Sequence, residues 1–339
     1  MNKKALIFGI TGQDGTFLAE LLLDKGYSVY GFARKQSWVN LSDSYTFKKD
    51  IYIHYGDLLD SNSIFEVIKN TIPDEIYNLA SQSVPSQSWN NAEYTHLING
   101  VAVLKIYEVV RNLCSECKIF HASSSDMYGN ATSSPQDEST RFNPNNPYAA
   151  SKVFAHNISK IFRNKYNLNI TTGILFNHES ERRQLNFITQ KVAYGAACAS
   201  LGISNSKQLN ELNKPIVENG KLAIGDLDIS RDWGYAKDYV HAMWLSLQYK
   251  ISDDYVIGTG ISHSIRDLCK TAYDSVCVNW EDVVYTDSSL IRPIESVKTL
   301  ANPNKASTIL NWQPKICFKE MIKKMVNHQI NLLKNNCIY

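Results

Sequence analysis

Tyr148 and Lys152 stand four residues apart in the run Asn145-Asn-Pro-Tyr-Ala-Ala-Ser-Lys152. On a helix, residues at that spacing share one face, so the Lys152 ammonium lies near the Tyr148 phenol and favours its ionised form. A phenol that ordinarily titrates near pKa ~10 then works as a base closer to neutral pH. An isolated Tyr-x-x-x-Lys is commonplace on surface helices. Here it is accompanied by Ser123-Ser-Ser-Asp126 and by a glycine-rich turn at Gly9–Gly15. A serine, a tyrosine and a lysine thus occur together as candidates for one catalytic group.

Those elements follow from the alternation of apolar runs. Lys4–Phe8, Tyr27–Ala33, Ile51–His54, Glu75–Leu79 and Lys118–Ala122 read as strands, with helices between them at Gly15–Lys25, Ser61–Asn70 and Glu93–Asn112. Tyr148–Tyr166 reads as the next helix, then Ile170–Leu175 and Asp253–Gly258 as further strands. This rhythm predicts an α/β fold, a Rossmann-type doubly wound parallel sheet with a smaller C-terminal substrate-binding domain. The expected boundaries are 1–175 for the dinucleotide-binding domain, with 235–260 returning to it, and 176–339 mainly for substrate. The polar stretch Ser204–Gly220 reads as an inserted loop or short helix.

Gly9-Ile-Thr11-Gly12-Gln13-Asp14-Gly15 follows the first strand and opens a helix. In that context the glycines allow a tight turn and close approach of a pyrophosphate to the helix N-terminus. The G-x-x-G-x-x-G spacing resembles the short-chain dehydrogenase/reductase superfamily, and with Tyr148 and Lys152 it implies a nicotinamide-dependent enzyme acting on a sugar. After the second strand the chain reads Arg34-Lys35-Gln-Ser37, where an NAD enzyme would typically carry an acidic residue. Two cations and a hydroxyl suit a 2′-phosphate, so the expected cofactor is NADP. Asp57 and Leu58 fit the adenine contact of that superfamily, and Leu79 and Ala80 its ribose-flanking segment.

Bulk composition narrows the partners. The 339 residues include 44% hydrophobic ones, enough for a substantial core. The 35 basic and 33 acidic residues are interspersed, with a net charge of +2, which gives no electrostatic case for nucleic acid or a membrane surface. The apolar start breaks at Gly9 and reads as a strand, and no run approaches a membrane span. Seven irregularly spaced cysteines make a poor disulfide framework and imply a cytoplasmic protein. Cys114-Ser-Glu-Cys117 lacks a second pair or a nearby histidine, so no metal site is expected.

Longer motifs carry a closer resemblance. Thr11-Gly-Gln-Asp-Gly15, Asn78-Leu-Ala-Ser-Gln-Ser83, Phe176-Asn-His-Glu-Ser180, Arg182-Arg183 and Arg231-Asp-Trp-Gly-Tyr-Ala-Lys-Asp238 resemble the GDP-mannose 4,6-dehydratase family, from about Lys4 to about Pro314. The resemblance implies an internal redox cycle on a GDP-sugar: hydride leaves C4, a base removes the C5 proton, the 6-hydroxyl departs as water, and hydride returns to C6. Tyr148 would take the 4-hydroxyl proton, Lys152 would tune it, and Ser124 would bond the 4-oxygen where the family usually has threonine. Asp126 aligns with the glutamate that acts at C5, one methylene shorter, and Ser125 stands where a proton donor for the leaving hydroxyl would be. Ser83, Asn177, Arg183, Lys191, Arg231, Arg292 and Glu295 are the implied substrate contacts, Arg231 and Arg292 for the diphosphate and Glu295 for the ribose. A homodimer or homotetramer is the implied assembly.

Departures gather where the sugar should lie. The family's Gly-Glu-Thr-Phe becomes Gln184-Leu-Asn-Phe187, and Ser204–Gly220 is longer than its counterpart. GDP-mannose, GDP-N-acetylglucosamine and a GDP-heptose therefore all stand as substrates. A 4-epimerase or 4-keto-sugar reductase would use Tyr148 and Lys152 without a C5 base, and an NADP-sensing protein would need neither.

Overall fold

The computed structural model describes residues 2–41, 45–291 and 299–336. Arg292 and Glu295 lie outside the described residues. In chain order the strands are Lys4–Phe8 (β1), Ser28–Ala33 (β2), Tyr52–Tyr55 (β3), Glu75–Asn78 (β4), Lys118–Ser124 (β5), Ile170–Leu175 (β6), Asn177–Glu179 (β7), Val217–Glu218 (β8), Lys221–Ile224 (β9), Ser230–Tyr235 (β10), Asp254–Ile257 (β11), Ser262–Ser264 (β12) and Val284–Thr286 (β13). The chain divides into two units, one of Met1–Phe176, Ala236–Gly258 and Ala301–Gln313, the other of Asn177–Tyr235, Thr259–Leu300 and Pro314–Tyr339.

The first unit is built on a seven-stranded sheet of order β11-β6-β5-β4-β1-β2-β3, parallel throughout. A parallel sheet covered on both faces asks for apolar side chains on both sides of each strand. β1 supplies them by alternation: Ala5 and Ile7 join one core with Phe17, Leu22, Val29 and Met243, whereas Leu6 and Phe8 join the other with Ile64, Val103, Ile106 and Phe162. Strand order reverses between β1 and β4, which opens a crevice at their carboxyl ends. Gly9 sits there at φ +85°, and a Cβ on it would lie 2.7 Å from the Ala80 nitrogen, so the turns after β1 and β4 meet backbone to backbone.

Two elements differ from the sequence expectation. β5 extends past the apolar run Lys118–Ala122 through Ser123 and Ser124, which pair with Ile174 and Leu175 of β6, because a hydroxyl does not disturb the backbone ladder. The helix expected over Glu93–Asn112 is Ala92–His96 and Ala102–Leu113 joined by a π turn at Leu97–Val101. That widened turn carries the buried Asn99, whose amide is fully engaged with Ser81, Gln82 and Ser151. Ser204–Gly220, expected as an inserted loop or short helix, is a loop: Leu209 bridges Pro215, and β8 folds back on β9 through Asn219 and Gly220, both at positive φ, as an Asn-Gly hairpin turn allows.

The second unit contains two three-stranded sheets, β12-β10-β7 and β13-β9-β8. Its core gathers Val192, Leu222, Trp233, Leu268, Tyr273, Met321 and Met325. Trp233 stacks on Phe318 with ring centroids 5.9 Å apart, so it serves packing.

One buried charge holds the outer strands of the first unit. Asp254 on β11 accepts from the Thr172 hydroxyl of β6 at 2.7 Å and from Arg163 at 2.9 Å, with Lys160 at 3.2 Å. Burial opposes its charge, but His156, Arg163 and the Thr172 hydroxyl outweigh that and hold the carboxyl down at about 2. A folded-state pKa below the unfolded one stabilises above the unfolded value and loses that contribution as pH falls. Asp254→Asn should destabilise the protein by about 3–5 kcal/mol, since Arg163 loses its partner in the interior. Urea unfolding at pH 7 checks the magnitude; between roughly pH 4 and 2 the wild-type advantage should fade as Asp254 protonates in both states.

Candidate active site

The helix Pro147–Tyr166 begins with proline in its first turn, and the Asn146 side chain accepts the Ala149 N–H at 2.8 Å. Tyr148 and Lys152 are both buried on it, with the Lys152 Nζ 5.8 Å from the Tyr148 ring centroid. Lys152 donates to the Ala122 carbonyl of β5 at 2.9 Å. Burial pushes its ammonium down to about 8, while the Asp126 carboxylate acts in the opposite direction. The Tyr148 backbone N–H donates to Ser88 Oγ at 3.2 Å, and Ser88 in turn donates to the Pro85 carbonyl at 2.6 Å.

β5 ends in a 3-10 turn, Ser125–Tyr128, capped by Ser124: the Asp126 N–H donates to its Oγ at 3.2 Å. Ser124 and Asp126 are half-buried, whereas Ser125 between them is buried. The turn closes at Gly129, φ +48°, where a Cβ would strike the Asn143 carbonyl at 2.0 Å, so only glycine permits this return of the chain. Strand end, turn and helix thus assemble Ser124, Asp126, Tyr148 and Lys152 in one place. A hydroxyl, a carboxylate, a phenol and an ammonium so arranged can move two different protons of one substrate.

The glycine turn is shaped for a dinucleotide. Gly12 donates to the Gly9 carbonyl at 3.0 Å and stands at the N-cap of the helix Gln13–Asp24 with no side chain of its own, a helix start of the kind that receives an anion. A Cβ on Gly15 would lie 2.3 Å from the Gly9 oxygen, so the turn packs too tightly for any side chain there. Gln13 donates to Asp14 at 3.1 Å, Thr11 is half-buried beside them, and Leu79 and Ala80 border the turn through Gly9. Arg34 and Lys35 are exposed at the start of the short helix Lys35–Val39, with Ser37 half-buried. Asp57 accepts the Leu59 N–H at 2.9 Å and Leu58 is buried. The glycine turn and the residues bordering it fit a nicotinamide dinucleotide.

Other sequence candidates are distributed more widely. Ser83 is exposed in the first unit. In the second, Asn177 on β7 is half-buried, and Arg231 on β10 is half-buried and donates to the Ser230 carbonyl at 2.9 Å. Arg183 lies 3.2 Å from Glu179 and places its guanidinium 3.4 Å over the Phe187 ring. Lys191 is buried in an ion pair with Glu211 of the inserted segment. Sequence reasoning missed Asn99, Ser88 and His156. No motif marks the first two, but His156 lies one helical turn beyond Lys152, a spacing that could have found it.

Among the described residues there is no cluster of three metal-ligating side chains, and no helix is long and apolar enough to cross a membrane. Cys114 and Cys117 are free thiols joined by a backbone turn, the Cys117 N–H donating to the Cys114 carbonyl at 2.9 Å.

Known proteins share both the sequence and the fold. A family model described as GDP-mannose 4,6 dehydratase matches residues 6–325. The GDP-mannose 4,6 dehydratase of Homo sapiens is 38% identical over 359 residues, which span 98% of this chain and 92% of the human one. The Vibrio cholerae GDP-mannose 4,6-dehydratase is 34% identical over 374 residues, spanning 100% of this chain and 96% of the relative. Among solved structures, a Bacillus anthracis dTDP-glucose 4,6-dehydratase in complex with NAD gives a TM-score of 0.80 at 19% identity, covering 98% of each chain. A Thermus thermophilus UDP-glucose 4-epimerase in complex with NAD also gives 0.80, at 20% identity, covering 96% of this chain and 98% of the other. The structural likeness fixes the Rossmann-type fold; the sequence likeness fixes the family. Sharing its model from residue 6 to residue 325, the chain belongs to the GDP-mannose 4,6-dehydratase family.

Proposed function

We propose that this protein is an NADP-dependent lyase that removes water from a GDP-linked hexose, GDP-mannose by family, to give the 4-keto-6-deoxy sugar. The observation that carries the reading is Lys152, buried on the Ala122 carbonyl, one turn from Tyr148 and within the electrostatic reach of Asp126. When bound, NADP accepts hydride from C4 and returns it to C6. Tyr148 takes the 4-hydroxyl proton, with the Lys152 ammonium favouring the phenolate. Ser124 donates to the 4-oxygen. The ketone so formed makes the C5 proton acidic, and Asp126 removes it, while Ser125 hydrogen-bonds the departing 6-hydroxyl. Overall the 4-hydroxyl proton leaves with the 6-hydroxyl as water, and the C5 position regains a proton.

The glycine cradle from Gly9 to Gly15, with Thr11, Gln13 and Asp14, would hold the pyrophosphate, and Arg34, Lys35 and Ser37 the 2′-phosphate. Asp57, Leu58, Leu79 and Ala80 would line the adenosine and nicotinamide ribose. Asn177, Arg183, Lys191 and Arg231 would serve the GDP moiety, with Ser83 toward the sugar. The described cysteines are all free thiols, which suits the cytoplasm.

Mass spectrometry after incubation with GDP-mannose or GDP-N-acetylglucosamine, without added reductant, should show loss of one water from one of them. An unchanged mass in both arms would sink the assignment. Asp126→Asn should slow that loss by about 10²–10⁴-fold, and deuterium incorporation at C5 from heavy water should fall in parallel. An epimerase would tolerate the change. For the cofactor, Arg34→Ala with Lys35→Ala should weaken NADPH binding by roughly 10–100-fold in a fluorescence titration and leave NADH nearly unaffected. Tighter binding of NADH than NADPH by the unaltered protein would overturn the choice of NADP.

A further inference from the structure

The stripe that carries Tyr148 and Lys152 does not stop there. One turn beyond Lys152, the same helix buries His156, which plays no part in the proton transfers above. Its Nδ1 lies 3.1 Å from Ser123 Oγ on β5 and 3.3 Å from Thr172 Oγ1 on β6. Its Nε2 faces Asp254 Oδ2 at 3.6 Å, and the Phe142 ring packs edge-on at 5.0 Å. Lys160 and Arg163, on its own helix, both face the same Asp254.

The hydrogen count decides how this histidine is used. The Thr172 hydroxyl has one proton and spends it on Asp254 at 2.7 Å. The Asp254 carboxylate favours the ring proton on Nε2, leaving Nδ1 bare as an acceptor. The remaining donor within reach is the Ser123 hydroxyl. Burial keeps the ring neutral, with Asp254 opposing and Lys160 and Arg163 assisting, so that it titrates only at about 4. Two consecutive residues at the end of β5 are therefore tied to successive turns of one helix: Ala122 through its carbonyl to Lys152, and Ser123 through its hydroxyl to His156. The next residue is Ser124.

We infer that His156 is a positioning residue: through Ser123 it holds the end of β5, and with it Ser124 and the turn bearing Asp126, in register with Tyr148 and Lys152. This rests on the dehydratase reading. Misplacement of a reacting group by about 1 Å lowers rates by ~100-fold, so His156→Leu should reduce kcat by roughly 10–100-fold with KM for the GDP-sugar within about twofold. Ser123→Ala should do the same, and the double variant should be no slower than the slower single one, because both changes remove a single link. His156→Asn places an amide oxygen at the same number of bonds from the backbone as Nδ1 and should recover most of kcat, even where its Tm stays below that of the unaltered protein.

The measurement is steady-state turnover of the four variants beside the unaltered enzyme, with Tm recorded for each. Losses that multiply in the double variant, or an unchanged kcat in folded His156→Leu, would overturn the inference and leave the dehydratase assignment standing. If the unaltered enzyme turns over no GDP-sugar, that assignment fails and the inference, which concerns its reaction, fails with it. A Tm loss with kcat intact assigns His156 to stability alone and likewise overturns it.

Discussion

A buried ammonium must find an acceptor, and the position of this site follows from where Lys152 finds one. Removing a lysine from water is unfavourable unless it is hydrogen-bonded, and the Ala122 carbonyl at 2.9 Å supplies the bond. That contact fixes the rotation and height of the helix Pro147–Tyr166 against β5. Tyr148 lies one turn before the contact and His156 one turn after it, so a single hydrogen bond positions three buried polar side chains of one helix. The same burial brings the Lys152 pKa down to about 8, and the Asp126 carboxylate resists that change and favours the cation.

Around this contact, polar groups are engaged in ways that leave few competing bases. Tyr128, in the turn beside Asp126, donates to the Asp137 carbonyl at 2.6 Å, and burial raises its pKa, so it stays a neutral phenol. His121 on β5 is pushed well below its ordinary range by burial, with Lys152 and His156 adding to the effect. At the sheet edge, Glu138 accepts the Val256 N–H of β11 at 2.7 Å, which engages a backbone donor that an edge strand would otherwise expose. The interior is thus polar near this helix, yet Tyr128 and His121 are both held neutral by burial.

The second unit treats its cations differently. Arg183 has Glu179 beside it and the Phe187 ring beneath it, and Glu179 also accepts from Thr189 at 2.7 Å, so that pair is embedded in the fold. Lys191 pairs instead with Glu211, half-exposed on the polar segment Ser204–Gly220. One carboxylate belongs to the core of the unit and the other to an insertion, although both neutralise a largely buried cation.

The sequence by itself determined the local chemistry and the elements that bear it. Gly9, Gly12 and Gly15 announce a tight turn, the unbroken apolar run Ala5–Phe8 announces a strand covered on both faces, and the spacing of Tyr148 and Lys152 announces a shared helical face. These features depend on near neighbours along the chain, so a linear reading captures them. The π turn at Leu97–Val101 escaped because it is set by Asn99 reaching Ser81, Gln82 and Ser151, residues 17 or more positions away. The same holds for β5 extending to Ser124, which its pairing with β6 decides, and for His156, whose partners Ser123, Thr172 and Asp254 come from three strands. Only tertiary structure could decide these, because a hydrogen bond across the fold leaves no period in the sequence and is specified by the packing that brings its two ends together.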